Sequence, residues 1–276
     1  MQDEAVWLEN RPTTRWWPQL RLEELWQHRD LAYHLALRDI KLRYKQTAFG
    51  IAWAVLQPLL GVVVFSIVFG RLADVPSDGI SYPVFVYSGL LIWVYISNSV
   101  EAAAQSLVEH REMVTKVYFP RLIAPLAAIF PGLVDLAISL VILAVFMLGY
   151  GVAPDLALLT LPIWIIGGMA VAFGVGTLLS ALNALYRDVR YTLAFGLQLW
   201  LFISPVVFPS SLVHGDWRLL FAVNPATGVI DGFRWATIGA PAPDAADLVS
   251  LASCLLLLAA GIVYFRRVER RLADRI

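Results

Sequence analysis

Apolar residues gather into six runs, roughly 49–70, 82–100, 122–149, 158–182, 192–209 and 247–265, and the stretches between them hold most of the charge. A hydrocarbon core needs about 20 consecutive apolar residues as helix. The pattern therefore predicts an all-α integral membrane protein with six transmembrane helices filling 49–265, preceded by a polar segment over 1–48 and followed by a tail over 266–276. The leading segment has a periodicity of its own. Tyr33, Leu37, Ile40 and Tyr44 fall in one helical stripe, with Arg38, Lys41 and Lys45 along its flank. Such a helix lies in the membrane interface, its stripe among the acyl chains and its cations at anionic headgroups. Basic residues ahead of a first span also serve simply to set orientation, and this segment alone does not separate the two readings.

Two connections carry patterns worth naming. Residues 101–121, EAAAQSLVEHREMVTKVYFPR, begin with good helix formers and stop at Pro120, which predicts one short surface helix. Glu109, Arg111, Glu112 and Lys116 offer both signs of charge to a docking partner; an ordinary solvated loop would look the same. In 210–246, the apolar pieces Leu219 to Val223 and Val229 to Ile238 are too short to cross and flank the turn signal Asn224-Pro225. They predict two short helices dipping into the outer leaflet, permitted where such backbone is buried in protein or lines a cavity, or else a surface cap. Within the spans, Pro58, Gly61, Pro125, Pro131, Gly132, Gly167, Gly168, Gly174 and Gly176 allow bends and close helix approach, and Gly174 to Ser180 presents a small face for packing. Pro205 and Pro209 would kink the fifth run or widen a pore mouth.

Charge fixes a direction for this array. Of the Lys and Arg residues, eight precede the first run, three lie between the second and third, two between the fourth and fifth, and five follow the sixth; only Arg71, Arg218 and Arg234 lie elsewhere. The positive-inside rule then places both termini in the cytoplasm. The first run starts after a long charged segment, unlike a cleaved signal peptide. With 59% hydrophobic and 15% charged residues and a mean hydropathy of +0.69, the composition excludes a soluble domain, and a net charge of zero gives no reason to expect nucleic acid. The single cysteine, Cys254, cannot form an intrachain disulfide and reads as a small buried hydrophobe.

Candidate chemistry is sparse. Only Lys41, Lys45 and Lys116 are lysines, and none follows the glycine pattern of a phosphate-binding P-loop, so no nucleotide is hydrolysed here; zinc spacing, a nucleophile elbow and a Rossmann fingerprint are absent too. No cofactor is expected in this chain. Asp135 is the one carboxylate deep inside an apolar run. It reads as a hydrogen-bonding partner of a neighbouring helix rather than as part of a proton relay, because no second buried acid is evident and His28, His34, His110 and His214 fall outside the runs. Most aromatic residues near run ends are belt anchors. Those facing a pathway could support sugar rings, with Trp53, Trp93, Tyr95 and Trp200 as candidates.

Five blocks, RDIKLRYKQTAFGIAWAVLQP at 38–58, TKVYFPRLIAPLA at 115–127, LYRDVRY at 185–191, SPVVFP at 204–209 and NPATGVIDGFRWA at 224–236, together resemble the permease of polysaccharide exporters of the ABC class. These are type 2 ABC permeases that carry lipid-linked O-antigen and related cell-envelope glycans. The resemblance spans nearly the whole chain. It implies a homodimer of six-span subunits in the bacterial cytoplasmic (inner) membrane, among membrane lipids, working with two copies of an ABC ATPase subunit that uses ATP and Mg. It further implies an interface helix before the first span and a coupling helix at 105–118 carrying Glu109, Arg111, Glu112 and Lys116. An external gate in 210–246 follows as well. Arg38, Lys41, Arg43 and Lys45 become candidates for receiving the pyrophosphate of a lipid-linked polysaccharide. A type 2 permease for a drug or lipid is the alternative, and an enzyme is not expected.

Overall fold

The fold was read from a computed structural model, which describes residues 22–45, 50–116, 119–186 and 188–272. Among these residues every regular element is helical. In chain order they are α1 (Leu22–Gln27), α2 (Arg29–Lys45), α3 (Gly50–Phe65, continued by the π-helical turns Ser66–Leu72), α4 (Tyr82–Glu109), α5 (Arg111–Lys116), α6 (Ile123–Ala128), α7 (Pro131–Gly149), α8 (Leu161–Leu185), α9 (Val189–Phe202), α10 (Asp216–Val223), α11 (Thr227–Ile238) and α12 (Ala245–Leu272).

Four helical stretches among the described residues are long and apolar enough to cross a bilayer: Tyr82–Glu109, Ile123–Gly149, Leu156–Leu185 and Ala245–Glu269. Leu56–Leu72 is apolar but shorter. The run expected over 192–209 is cut at Phe202, leaving α9 with 14 residues, about 21 Å of helix against a core of about 30 Å. Pro205 explains the cut, since proline lacks the amide that would continue the ladder and bars its predecessor from helical backbone.

Among the four, α4 is the hub. In its most apolar window 78% of residues are buried, against 22% for the C-terminal helix. α4 packs against α3, α6, α7, α8, α9 and α11, and Phe85, Tyr87, Ile92, Ile96 and Val100 fill the centre of the main apolar core. The outer helices show the complementary pattern. Val141, Val145 and Leu148 on α7, Ile163 and Ile166 on α8, and Leu255 and Leu256 on α12 are all more than 60% exposed. A chain in water would not leave such a surface open; acyl chains cover it.

Small residues let these helices close. A Cβ built on Gly174 of α8 would lie 2.7 Å from Leu258 Cα of α12, so the two backbones meet there as the small face at Gly174 to Ser180 predicts. The proline expected to interrupt the third run does so: Pro131 opens α7 just after α6 ends.

Two connections differ from expectation. α4 runs on through Glu109, because Glu101 to Gln105 contain no helix breaker and Ala103, Ala104, Ser106 and Leu107 are buried. The predicted single helix at 105–118 is therefore the end of α4, a break at His110, and α5. Likewise α12 continues to Leu272 through part of the expected tail, where Glu269 accepts from the Arg121 backbone amide at 3.2 Å and from Arg266 at 2.9 Å.

Candidate functional site

Polar side chains collect at the two ends of α4, near Phe85 and near His110, roughly 40 Å apart at about 1.5 Å of rise per residue. At the His110 end, α2 lies against α6 and the α4–α5 junction. Its buried face is Leu31, Ala32, Leu35 and Ala36, which join Leu107, Phe119, Leu122 and Ile123 in a second apolar cluster. This face is not the predicted stripe. Tyr33 is 63% exposed, while Leu37, Ile40 and Tyr44 are half-buried, so the stripe is turned outward only in part.

Four of the residues singled out in the sequence are engaged here. Arg43 forms an ion pair with Asp135 Oδ2 at 2.8 Å, and the Tyr44 hydroxyl donates to Asp135 Oδ1. Asp135 thus takes its partners from another helix, and burial, followed by the Asp135 carboxylate, pushes the Tyr44 hydroxyl well above the usual phenol value, so it stays a donor. Arg38 donates Nε at 3.1 Å and Nη2 at 2.9 Å to Asp39 Oδ1, and Nη2 also meets His110 Nε2. Lys41 and Lys45 are exposed. Asp39, Arg43, Ser99, Ser106, Glu109 and His110 line a half-open cleft of about 140 Å³. Of the residues expected to dock a partner, Glu109, Arg111, Glu112 and Lys116 are all exposed beside this cleft, Lys116 lying 3.5 Å from Glu112.

At the Phe85 end the sequence reading missed the principal residue. Arg234 is 1% exposed. It donates Nη1 to the Pro205 carbonyl and Nη2 to the Val206 carbonyl, both at 2.5 Å, and its guanidinium lies over the Phe85 ring, 3.8 Å from the centroid. Tyr82 donates to the Val207 carbonyl at 2.7 Å, and Asn224 to the Ile203 carbonyl at 3.1 Å. The backbone released by the end of α9 is satisfied by side chains from three other elements, the condition under which irregular backbone survives near a membrane. Gly89 leaves the space the guanidinium occupies. Asp231 sits 3.8 Å from Arg234 with its side chain 11% exposed, and Asp247 is buried close by. Burial first, and then Asp247 against the opposing Arg234, pushes the Asp231 carboxyl up to about 7. The chain does hold a buried acid pair, contrary to the sequence reading. Its only linear trace is Asp-x-x-Arg inside the apolar helix α11.

The aromatic candidates separate. Trp93 and Tyr95 are 4% and 3% exposed, packed in the core of the chain, so neither presents a face to a ligand. Helical spacing turned them toward α4's neighbours, which no run-end argument could detect. Trp200 meets Trp93 edge-on at 5.3 Å and donates to Asn224 at 2.8 Å. The side chain of Trp53 lies outside the described residues. The open aromatic face belongs instead to Tyr191, Phe195 and Phe202 of α9, which are 82%, 64% and 48% exposed.

Long apolar helices with outward hydrophobic faces define a multi-pass membrane protein. Residues 31–238 match the ABC-2 type transporter family, and the chain belongs to it. Among curated relatives, it is 29% identical over 254 residues to the O-antigen export system permease protein RfbA of Myxococcus xanthus, covering 90% of this chain and 96% of that one. A protein of the same name from Klebsiella pneumoniae is 24% identical over 89% of this chain and 94% of its own. The polysialic acid transport protein KpsM of Escherichia coli is 28% identical over 85% and 92%.

Proposed function

We propose that this chain is the membrane-spanning permease subunit of an ABC exporter that moves a lipid-linked cell-envelope polysaccharide out across the bacterial cytoplasmic membrane. The observation that carries this reading is the end-to-end likeness to the O-antigen export permease of Myxococcus xanthus. In this reading the chain hydrolyses nothing itself; ATP and Mg act in a separate ATPase subunit, two copies of which serve a homodimer of six-span permeases with all termini in the cytoplasm. Glu109 and α5 form the seat for the ATPase, and α10 and α11 form the external gate. Arg43 lines the cleft, and in this reading Arg38, Lys41, Arg43 and Lys45 of the same helix neutralise the pyrophosphate of the lipid carrier as it arrives. Tyr191, Phe195 and Phe202 take over the glycan-guiding role from the buried Trp93 and Tyr95.

The test is to solubilise the tagged full-length chain from its native membrane in mild detergent and identify what copurifies. A stoichiometric ATPase whose hydrolysis responds to lipid-linked glycan is the expected result. Transport by the chain with no ATPase present overturns the reading.

A further inference from the structure

One residue touches both the cationic cluster of α2, through its ring, and the start of α5, through its backbone. His110 is 8% exposed and sits in the break between α4 and α5. Its Nδ1 lies 2.7 Å from the Ser106 carbonyl. A carbonyl only accepts, so Nδ1 carries the proton and Nε2 is left with its lone pair. That lone pair faces Arg38 Nη2, which only donates. The two hydrogen-bonding partners of the ring therefore call for the same tautomer, with the Asp39 carboxylate a further 3.9 Å from Nε2. Arg38 is in turn divided between His110 and Asp39. On the other side of the break, the Met113 amide donates to the His110 carbonyl at 2.9 Å, and Met113 packs into the same apolar cluster as α2. The backbone of His110 is thus the first anchor of α5.

We propose that His110 is the positioning residue of Arg38 and the relay between phosphate capture and the ATPase seat, an inference that rests on the exporter reading above. A phosphate bonds a guanidinium more strongly than a neutral imidazole does, so an arriving pyrophosphate takes Arg38 Nη2 away from His110. The ring then loses what held it against α2, and the break it occupies is free to shift α5. By linkage the effect is reciprocal: an ATPase seated so as to hold His110 away from α2 raises the affinity of Arg38 for phosphate by the same factor. Asp39, Arg43 and Glu109 line the cleft beside this contact and set the field in which the exchange occurs.

The experiment reconstitutes the full-length chain with its copurifying ATPase in lipid nanodiscs and follows ATP hydrolysis against the concentration of a polyprenyl pyrophosphate. His110→Leu keeps the bulk and removes both nitrogens; the expected result is a complex that still copurifies but whose ratio of stimulated to basal hydrolysis falls at least about fivefold, the low end of ordinary coupling. His110→Gln, which keeps an acceptor for Arg38, restores most of the response. Wild-type stimulation in His110→Leu, or a Gln variant no better than Leu, overturns the relay while leaving the exporter reading intact. Should His110→Leu fail to assemble, Arg38→Lys decides: it keeps the charge but loses the fork, so undiminished stimulation overturns the relay. A wild-type complex that ignores the probe overturns the phosphate reading, and the relay with it.

Discussion

Arginine anchors both ends of α4, yet the two sites are built on opposite terms. Arg234 is sealed at the Phe85 end, its guanidinium spent on the carbonyls of Pro205 and Val206 and on the face of Phe85. Arg38 and Arg43, at the His110 end, have side chains 47% and 43% exposed and are paired with the carboxylates of Asp39 and Asp135. Backbone carbonyls at a helix break have no alternative donor, so removing Arg234 strands them in an apolar setting. The Asp39 carboxylate, which lines the open cleft, can return to water when a phosphate displaces it, whereas Asp135 has a side chain only 13% exposed and holds Arg43 more firmly. The same residue type is therefore structural at one end and exchangeable at the other, and partner type with exposure decides which.

The comparison breaks first at Arg234. Arg234→Ala leaves two buried carbonyls without their donor, a loss of about 2–6 kcal/mol at roughly 1–3 kcal/mol each, seen as failure to accumulate or a large drop in unfolding temperature in detergent. Arg234→Lys recovers little, because a point charge cannot span two carbonyls. Unfolding temperatures like the parent's for both variants would make this arginine as exchangeable as the others. Next in size is the ATPase seat, where Glu109→Lys with Glu112→Lys is expected to abolish copurification of the ATPase without loss of the folded permease. An undisturbed complex would remove this surface from the docking site. Arg38→Ala with Lys41→Ala should leave the fold and the ATPase complex in place while glycan export falls roughly tenfold, the scale of one charge-assisted hydrogen bond; unchanged export would refute phosphate capture there.

The last effect is one of pH. Asp231 is raised to about 7 by its burial, above an unfolded value of about 4. The folded state therefore holds a proton that the unfolded state has lost, and the stability tied to it is full below pH ~4 and declines as pH climbs through about 7. Thermal unfolding measured across that window should show the decline in the parent and a flatter profile in Asp231→Asn. Equal slopes would place the proton elsewhere.

Much of the architecture was legible in linear order. Four of the six apolar runs marked helices long enough to span, Asn224-Pro225 marked the turn between α10 and α11, Pro131 marked the start of α7, and the small residues from Gly174 marked a close helix crossing. The site was legible only in part. The basic cluster could be read from spacing, but its partners could not: Asp135 and His110 lie 92 and 72 residues away from Arg43 and Arg38 in sequence. Arg234 was set aside as one of three stray cations in the other connections. Trp93 and Tyr95 were placed on a pathway because they lie near a run end, although α4 is the one helix enclosed on nearly all sides.

By itself the sequence determined what the solvent must be and where the chain meets it, because burying apolar surface in a hydrocarbon core depends on composition and run length, both of which are local. It also determined where helices could bend or approach, since proline and glycine act on their own backbone. Only the tertiary structure decided which charges are spent and which remain available. Desolvation and ion pairing depend on distances between residues far apart in the chain, and those distances arise when α2, α11 and the break after α9 close around α4.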